Sequence, residues 1–153
     1  MKLNLMCFFK SFKFAFQGIF HAFKTQRNLR FHLFAAVAVF WLAGFYGFSD
    51  IDYAVLLLTV SAVIVSEMIN TAVEAAVDLS SPDFHRLAKI AKDTAAGAVL
   101  LACVSAVVVG FFMFWDIEVF SEIAAYFADS PLRIAASLVY LGLMGVFIFR
   151  EYK

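Results

Sequence analysis

Apolar residues gather into four runs of membrane-crossing length, at about 31–48, 53–79, 94–115 and 131–149. Each is near or above the ~20 residues that a helix needs to cross ~30 Å of hydrocarbon. Inside lipid a backbone must satisfy its own hydrogen bonds, so the four runs are predicted to be transmembrane helices. Residues 8–24 follow another pattern. Phe9, Phe12, Phe16, Phe20 and Phe23, with Ile19, fall within about 100° of a helical wheel, and Lys10, Lys13 and Lys24 flank that stripe. Such a helix lies in the membrane surface. "LSSPDF" carries a helix-start pattern, with Ser81 as N-cap, Pro82 at the first helical position and Asp83 in the first turn. A helix is therefore predicted to run from Pro82 into the third apolar run.

Composition agrees with this reading. Of 153 residues, 64% are hydrophobic and 16% charged, and Phe occurs 20 times; with a mean hydropathy of +0.89, the chain reads as one integral membrane protein and not as a soluble domain. Cys7 and Cys103 fall in a basic amphipathic segment and an apolar one, which suits small apolar fillers better than a disulfide. The basic N-terminal stretch is too long and too amphipathic for a cleaved signal peptide.

The net charge of zero hides a segregation. The N-terminal segment, the 80–93 loop and "REYK" hold eleven of the twelve Lys and Arg, while "DIEVFSEIAAYFADS" has four acids and no cation. Both ends and the 80–93 loop are predicted to be cytoplasmic, and residues 116–130 to form an outer loop. Arg133, near the outer end of the fourth run, would have to snorkel.

"SEMINTAVEAAVD", residues 66–78, interrupts the second apolar run with carboxylates. On a helix, Glu67, Asn70, Glu74 and Asp78 share one strip about 80° wide. Counted from Tyr53 at 1.5 Å per residue, Glu67 lies about 21 Å along, and Glu74 and Asp78 about 31 and 37 Å. A carboxylate in hydrocarbon is costly, so the strip must face protein or water. The deep Glu67 has the chemistry of a general base. The shallower acids suit a hard cation such as Mg²⁺, which takes one or two carboxylates together with substrate phosphates. Arg86, Lys89 and Lys92 follow at the same interface, so the parts for holding a nucleotide triphosphate are adjacent. The lysines of the surface helix, Lys10 and Lys13, are candidates to meet the same anion. His21, His32 and His85 are scattered and read as surface or interfacial residues, and no HExxH, Walker A, GxGxxG or GxSxG motif occurs. Nothing points to nucleic acid.

"EMINTAVEAAVDLSSPDFHRLAKIAKDTAAGAVLL", residues 67–101, closely resembles the signature region of the prokaryotic diacylglycerol kinase family, which includes the undecaprenol kinases. "FKFAFQGIFHAFKTQRNLRFH", residues 12–32, is similar to that family's amphipathic first helix. The resemblance implies an all-α, three-span kinase core over residues 1–115. Residues 116–153 would add an outer loop and a fourth, C-terminal transmembrane helix. It also implies a bacterial inner-membrane homotrimer with active sites shared between subunits, passing a phosphoryl group from ATP to a lipid alcohol. Carried over by position, Glu67 is the catalytic base, aided by Asn70; Glu74 is a Mg²⁺ ligand; and Asp78, Lys92 and Asp93 serve the nucleotide. Gln26 stands where family members commonly carry a glutamate that is the second metal ligand. An amide can still coordinate through oxygen but brings no charge. Diacylglycerol and undecaprenol both remain open as substrates. An ion- or proton-coupled transporter built on Glu67 and a catalytically inactive regulatory membrane protein are the competing readings.

Overall fold

The computed structural model describes residues 5–80 and 85–150, which form six helices and no strand. They are α1 (Leu5–Thr25), α2 (Arg27–Ala43), α3 (Asp50–Ser80), α4 (Arg86–Phe114), α5 (Ile117–Ala128) and α6 (Pro131–Phe149). α3 and α4 form the most extensive pair; α2 packs on α3, α6 on α2, α5 on α6, and α1 on both α2 and α3.

Local sequence sets the boundaries. α3 starts with a reciprocal cap: the Ser49 amide donates to Asp52 Oδ2 at 2.9 Å, and the Asp52 amide points back at Ser49 Oγ at 3.4 Å. Asp50 and Asp52 also place negative charge at the positive end of the helix dipole. α6 starts with Pro131 in its first turn, where the missing N–H costs nothing.

α3, α4 and α6 are long and apolar enough to cross a membrane. With 31 and 29 residues, α3 and α4 extend about 46 and 44 Å, well past ~30 Å of hydrocarbon. Both must therefore project from the bilayer. α2, α3, α4 and α6 all run between the same two ends of the bundle. At one end the start of α2 meets the end of α6, through Arg30 and the Ile148 carbonyl. At the other, the Tyr46 hydroxyl, just past α2, donates to Phe114 O at the end of α4 at 2.8 Å. Among the described residues only six hydrophobic side chains are buried, including Leu29, Leu56, Val63 and Ile148. The remaining apolar surface points outward, as it must in a solvent as apolar as leucine.

Three expectations are corrected. The first apolar run was expected to stay helical to residue 48, but α2 ends at Ala43. Phe45 and Tyr46 amides turn back onto Leu42 O and Ala43 O at 3.0 and 3.1 Å, and Gly47 takes φ +55, which its lack of Cβ permits. The helix predicted from Pro82 begins at Arg86: His85 is extended, and its Nδ1 accepts from the Leu87 amide at 3.2 Å, so a histidine caps α4. Ser81, Pro82 and Asp83 lie outside the described residues. The predicted outer loop contains a helix, α5, capped by Asp116 Oδ1, which accepts from the amides of Glu118 at 2.9 Å and Val119 at 3.4 Å. Arg133 stays partly exposed, donates to Tyr126 O at 2.8 Å and stacks 4.1 Å above the Tyr126 ring.

Candidate active site

The acidic strip lies along α3 on the face turned toward α2. Glu67 is 2% exposed and Asn70 7%; Glu74 is half-buried and Asp78 exposed. Burial thus falls along the strip in the order that helix arithmetic predicts. The Asn70 amide nitrogen donates to Glu74 Oε1 at 2.9 Å. The other amide atom, Oδ1, is buried and has no hydrogen-bond partner among the described residues. Buried polar atoms are normally satisfied, so this oxygen is a free acceptor set beside a carboxylate.

α2 supplies the other wall. From the start of α2, Asn28 and His32 both lie close enough to Glu67 to act on its charge. His32 is half-buried, and its Nε2 sits 3.9 Å from Cys103 Sγ on α4. This corrects the reading of His32 as a surface or interfacial residue: α2 packs its start against the carboxylate strip, which draws residue 32 inward. Asn28 was not singled out from sequence either. The signal was present in "RNLRFH", because residues 28 and 32 are four apart and share one helix face.

From His32 and Cys103 an apolar groove of about 420 Å³ runs between α2, α3 and α4, lined by side chains such as Ala35, Val39, Val60 and Val107. His32 and Cys103 line it, and Glu67 lies one helical turn along α3 from the lining residue Val63. At the far side of the strip, where α3 and α4 project, Lys92 pairs with Asp78 and Lys89 with Asp93. These pairs are solvent-exposed and stabilise the fold by about 1 kcal/mol or less each. A competing anion can therefore open them at little cost.

The structure brings Glu67, Asn70 and Glu74 together and sets Asp78, Lys92 and Asp93 at one end of the same hairpin. Gln26 occupies the extended joint between α1 and α2, with φ −98 and ψ 112, half-buried. Among the described residues, no hydrogen bond joins its amide to Glu74. Lys10 and Lys13 are exposed on α1, and among the described residues no ion pair links them to the strip. No group of three or more His, Cys, Asp or Glu side chains among the described residues forms a self-contained metal site.

Residues 13–114 match the model of the prokaryotic diacylglycerol kinase family. The chain belongs to that family. A diacylglycerol kinase of Synechocystis is 52% identical over 101 residues, covering 65% of this chain and 58% of its own length. An undecaprenol kinase of Bacillus subtilis is 40% identical over 107 residues, covering 70% of this chain and 87% of its own length. A diacylglycerol kinase of Haemophilus influenzae is 32% identical over 106 residues, covering 69% and 90%. The match thus covers less than two thirds of the Synechocystis protein. In this multi-pass membrane protein α1 to α4 carry the family match, whereas α5 and α6 lie beyond it.

Proposed function

We propose that the protein is an ATP-dependent lipid kinase, acting on undecaprenol or diacylglycerol. The observation that carries this reading is a buried carboxylate, Glu67, one helical turn from Val63 in the lining of an apolar groove, with further carboxylates along α3 leading to the Asp78–Lys92 pair. A lipid alcohol needs that geometry: its chain stays in apolar surroundings while its hydroxyl reaches a base.

In the proposed reaction Glu67 accepts the hydroxyl proton as the lipid oxygen bonds to the γ-phosphorus. The bond from that phosphorus to the bridging oxygen breaks, and ADP leaves. Phosphoryl transfer is mostly positioning and charge stabilisation. Asn28 orients Glu67 from α2, Asn70 holds Glu74 by its amide, and Lys92 leaves Asp78 to bind phosphate, with Asp93 and the α1 lysines Lys10 and Lys13 as further nucleotide contacts. The donor set fits Mg²⁺: one carboxylate of Glu74, the unpartnered Asn70 Oδ1 and the Gln26 amide oxygen are hard ligands, too few for a closed site but enough to complement substrate phosphates. When bound, Mg²⁺ would neutralise phosphate charge.

The kinase core is residues 1–115, with α5 and α6 appended. Several apolar residues of α1, among them Phe9, Phe12, Phe16 and Phe20, are uncovered by the chain itself, as suits a surface helix or a neighbouring subunit in a homotrimer. The setting is the bacterial inner membrane, with the N-terminus, the 80–93 loop and residue 150 cytoplasmic. Impermeant thiol labelling of intact cells should modify Ser121→Cys and spare Ser80→Cys; the opposite pattern inverts the topology.

The deciding experiment offers purified protein Mg²⁺-ATP with diacylglycerol and undecaprenol in parallel. Transfer to either alcohol establishes the kinase, and the ratio of the two kcat/KM values names its substrate. Failure with both returns the chain to a non-catalytic membrane role, to which the neutral Gln26 would then belong.

A further inference from the structure

Arg30, on the first turn of α2, is 4% exposed. Its Nη1 donates to Lys24 O at 2.7 Å and to Phe23 O at 3.3 Å, and its Nη2 to Ile148 O at 2.9 Å and to Arg150 O at 3.3 Å. Phe23 and Lys24 are in the last turn of α1, and Ile148 is in the last turn of α6. Final carbonyls of a helix lack intrahelical partners and carry the negative end of its dipole. One planar guanidinium thus ties together the C-terminal ends of two helices, a task for which its fork of donors is suited and a lysine is not.

The tie closes on the joint that bears the α2 side of the site. Gln26 is the break between α1 and α2, and the stretch of α2 that follows it packs on α3 and brings His32 Nε2 to 3.9 Å from Cys103 Sγ on α4. α6 flanks the joint on both sides. The Phe147 ring lies 5.5 Å from Phe23 of α1 and 5.5 Å from Phe34 of α2, and Arg27 stacks 5.5 Å above Phe149. α6 packs on α2 and α5, whereas the residues assigned to the nucleotide sit on the α3–α4 hairpin. Yet α6 is outside the part of the chain that matches the family.

We propose that α6 is a working part of the catalytic centre: through Arg30 it clamps the α1–α2 joint and so holds the start of α2, with Asn28 and His32, against the Glu67 face of α3, which makes Arg30 a positioning residue. The proposal rests on the kinase reading for its rate effects and on geometry alone for the clamp.

The test compares Arg30→Lys, a chain ended at Phe147, which removes the Ile148 and Arg150 acceptors, and both changes together. Each single change should lower kcat about tenfold and leave the KM for Mg²⁺-ATP within about threefold. The double change should cost little more than either, because both remove one shared contact. Wild-type kcat in the shortened chain, or losses that multiply in the double variant, would overturn the clamp. A readout independent of turnover separates this from the kinase reading. Spin labels at Gln17→Cys on α1 and Ala75→Cys on α3, with Cys7 and Cys103 replaced by alanine, should give a broader or displaced distance distribution in the shortened chain. Superimposable distributions would overturn the clamp even in an active kinase. A displaced distribution in a protein that transfers no phosphate would sustain the clamp and fail the kinase reading alone.

Discussion

Replacing Asn70 by aspartate changes the sign of its contact with Glu74 while keeping its shape. In the wild-type protein the amide donates to Glu74 Oε1 at 2.9 Å, and a hydrogen bond to a charged group contributes about 1.5–3 kcal/mol. Asn70→Asp forfeits that bond and sets two carboxylates a similar distance apart. Two like charges at ~4 Å repel by ~4 kcal/mol at an effective dielectric constant of ~20. Glu74 is half-exposed, so water reduces that by roughly half. The combined penalty is about 4 kcal/mol, close to a thousandfold at 1.4 kcal/mol per factor of ten. A divalent cation shared by the two carboxylates turns the repulsion into ligation. Activity of Asn70→Asp should therefore be depressed by two to three powers of ten at low free Mg²⁺, by that same conversion, and recover steeply as Mg²⁺ rises. The assay is initial rate against free Mg²⁺ at fixed ATP, with Asn70→Ala as control; the control loses the bridge and the Oδ1 ligand but adds no carboxylate, so its Mg²⁺ requirement should rise without the steep recovery of Asn70→Asp. Parallel curves for wild type and Asn70→Asp would refute the placement of metal beside Glu74 and residue 70.

Glu67→Gln keeps shape and removes the proton acceptor, so kcat should fall by about 10²–10⁴ with the KM for Mg²⁺-ATP unchanged; a fully active variant would reduce Glu67 to a packing role. Lys92→Met should raise the KM for ATP while the melting temperature barely moves, because the Asp78 pair that it breaks is exposed; steady-state kinetics and thermal denaturation check both halves. Gln26→Glu should lower the Mg²⁺ concentration at half-maximal activity by about tenfold for each 1.4 kcal/mol gained; an unchanged requirement would place residue 26 away from the metal.

Much of this architecture was legible because it depends on periodicity along single helices. The strip from Glu67 to Asp78 needs only 100° per residue, and its burial follows from depth along α3. α5 was hidden by its acids: read as charges they mark an outer loop, but Asp116 spends its carboxylate on backbone amides and Glu118 favours the first turn of a helix. His85 looked like an ordinary surface side chain because its capping role depends on an extended backbone at that residue. His32 and Asn28 were illegible as site residues for a different reason. Their chemistry depends on which face of α2 meets α3, a fact of tertiary packing. Arg30 was the hardest of all: in the sequence it is one more cation on the basic side, while its acceptors are brought to it by α6 from far downstream.

That separation has a consequence for how the protein is made. The carbonyls that Arg30 shares with α6 lie 118 and 120 residues after it. At ~5–20 residues per second the ribosome needs roughly 6–24 s to supply them. Through that interval the guanidinium has its nearby acceptors at the end of α1 but lacks the two that α6 and Arg150 bring. Insertion of α6 is then the event that draws this charge out of water. A nascent chain would carry Glu67, Glu74 and Lys92 in the membrane well before the joint beside them is fastened, so maturation of the site is timed by the entry of α6 into the bilayer.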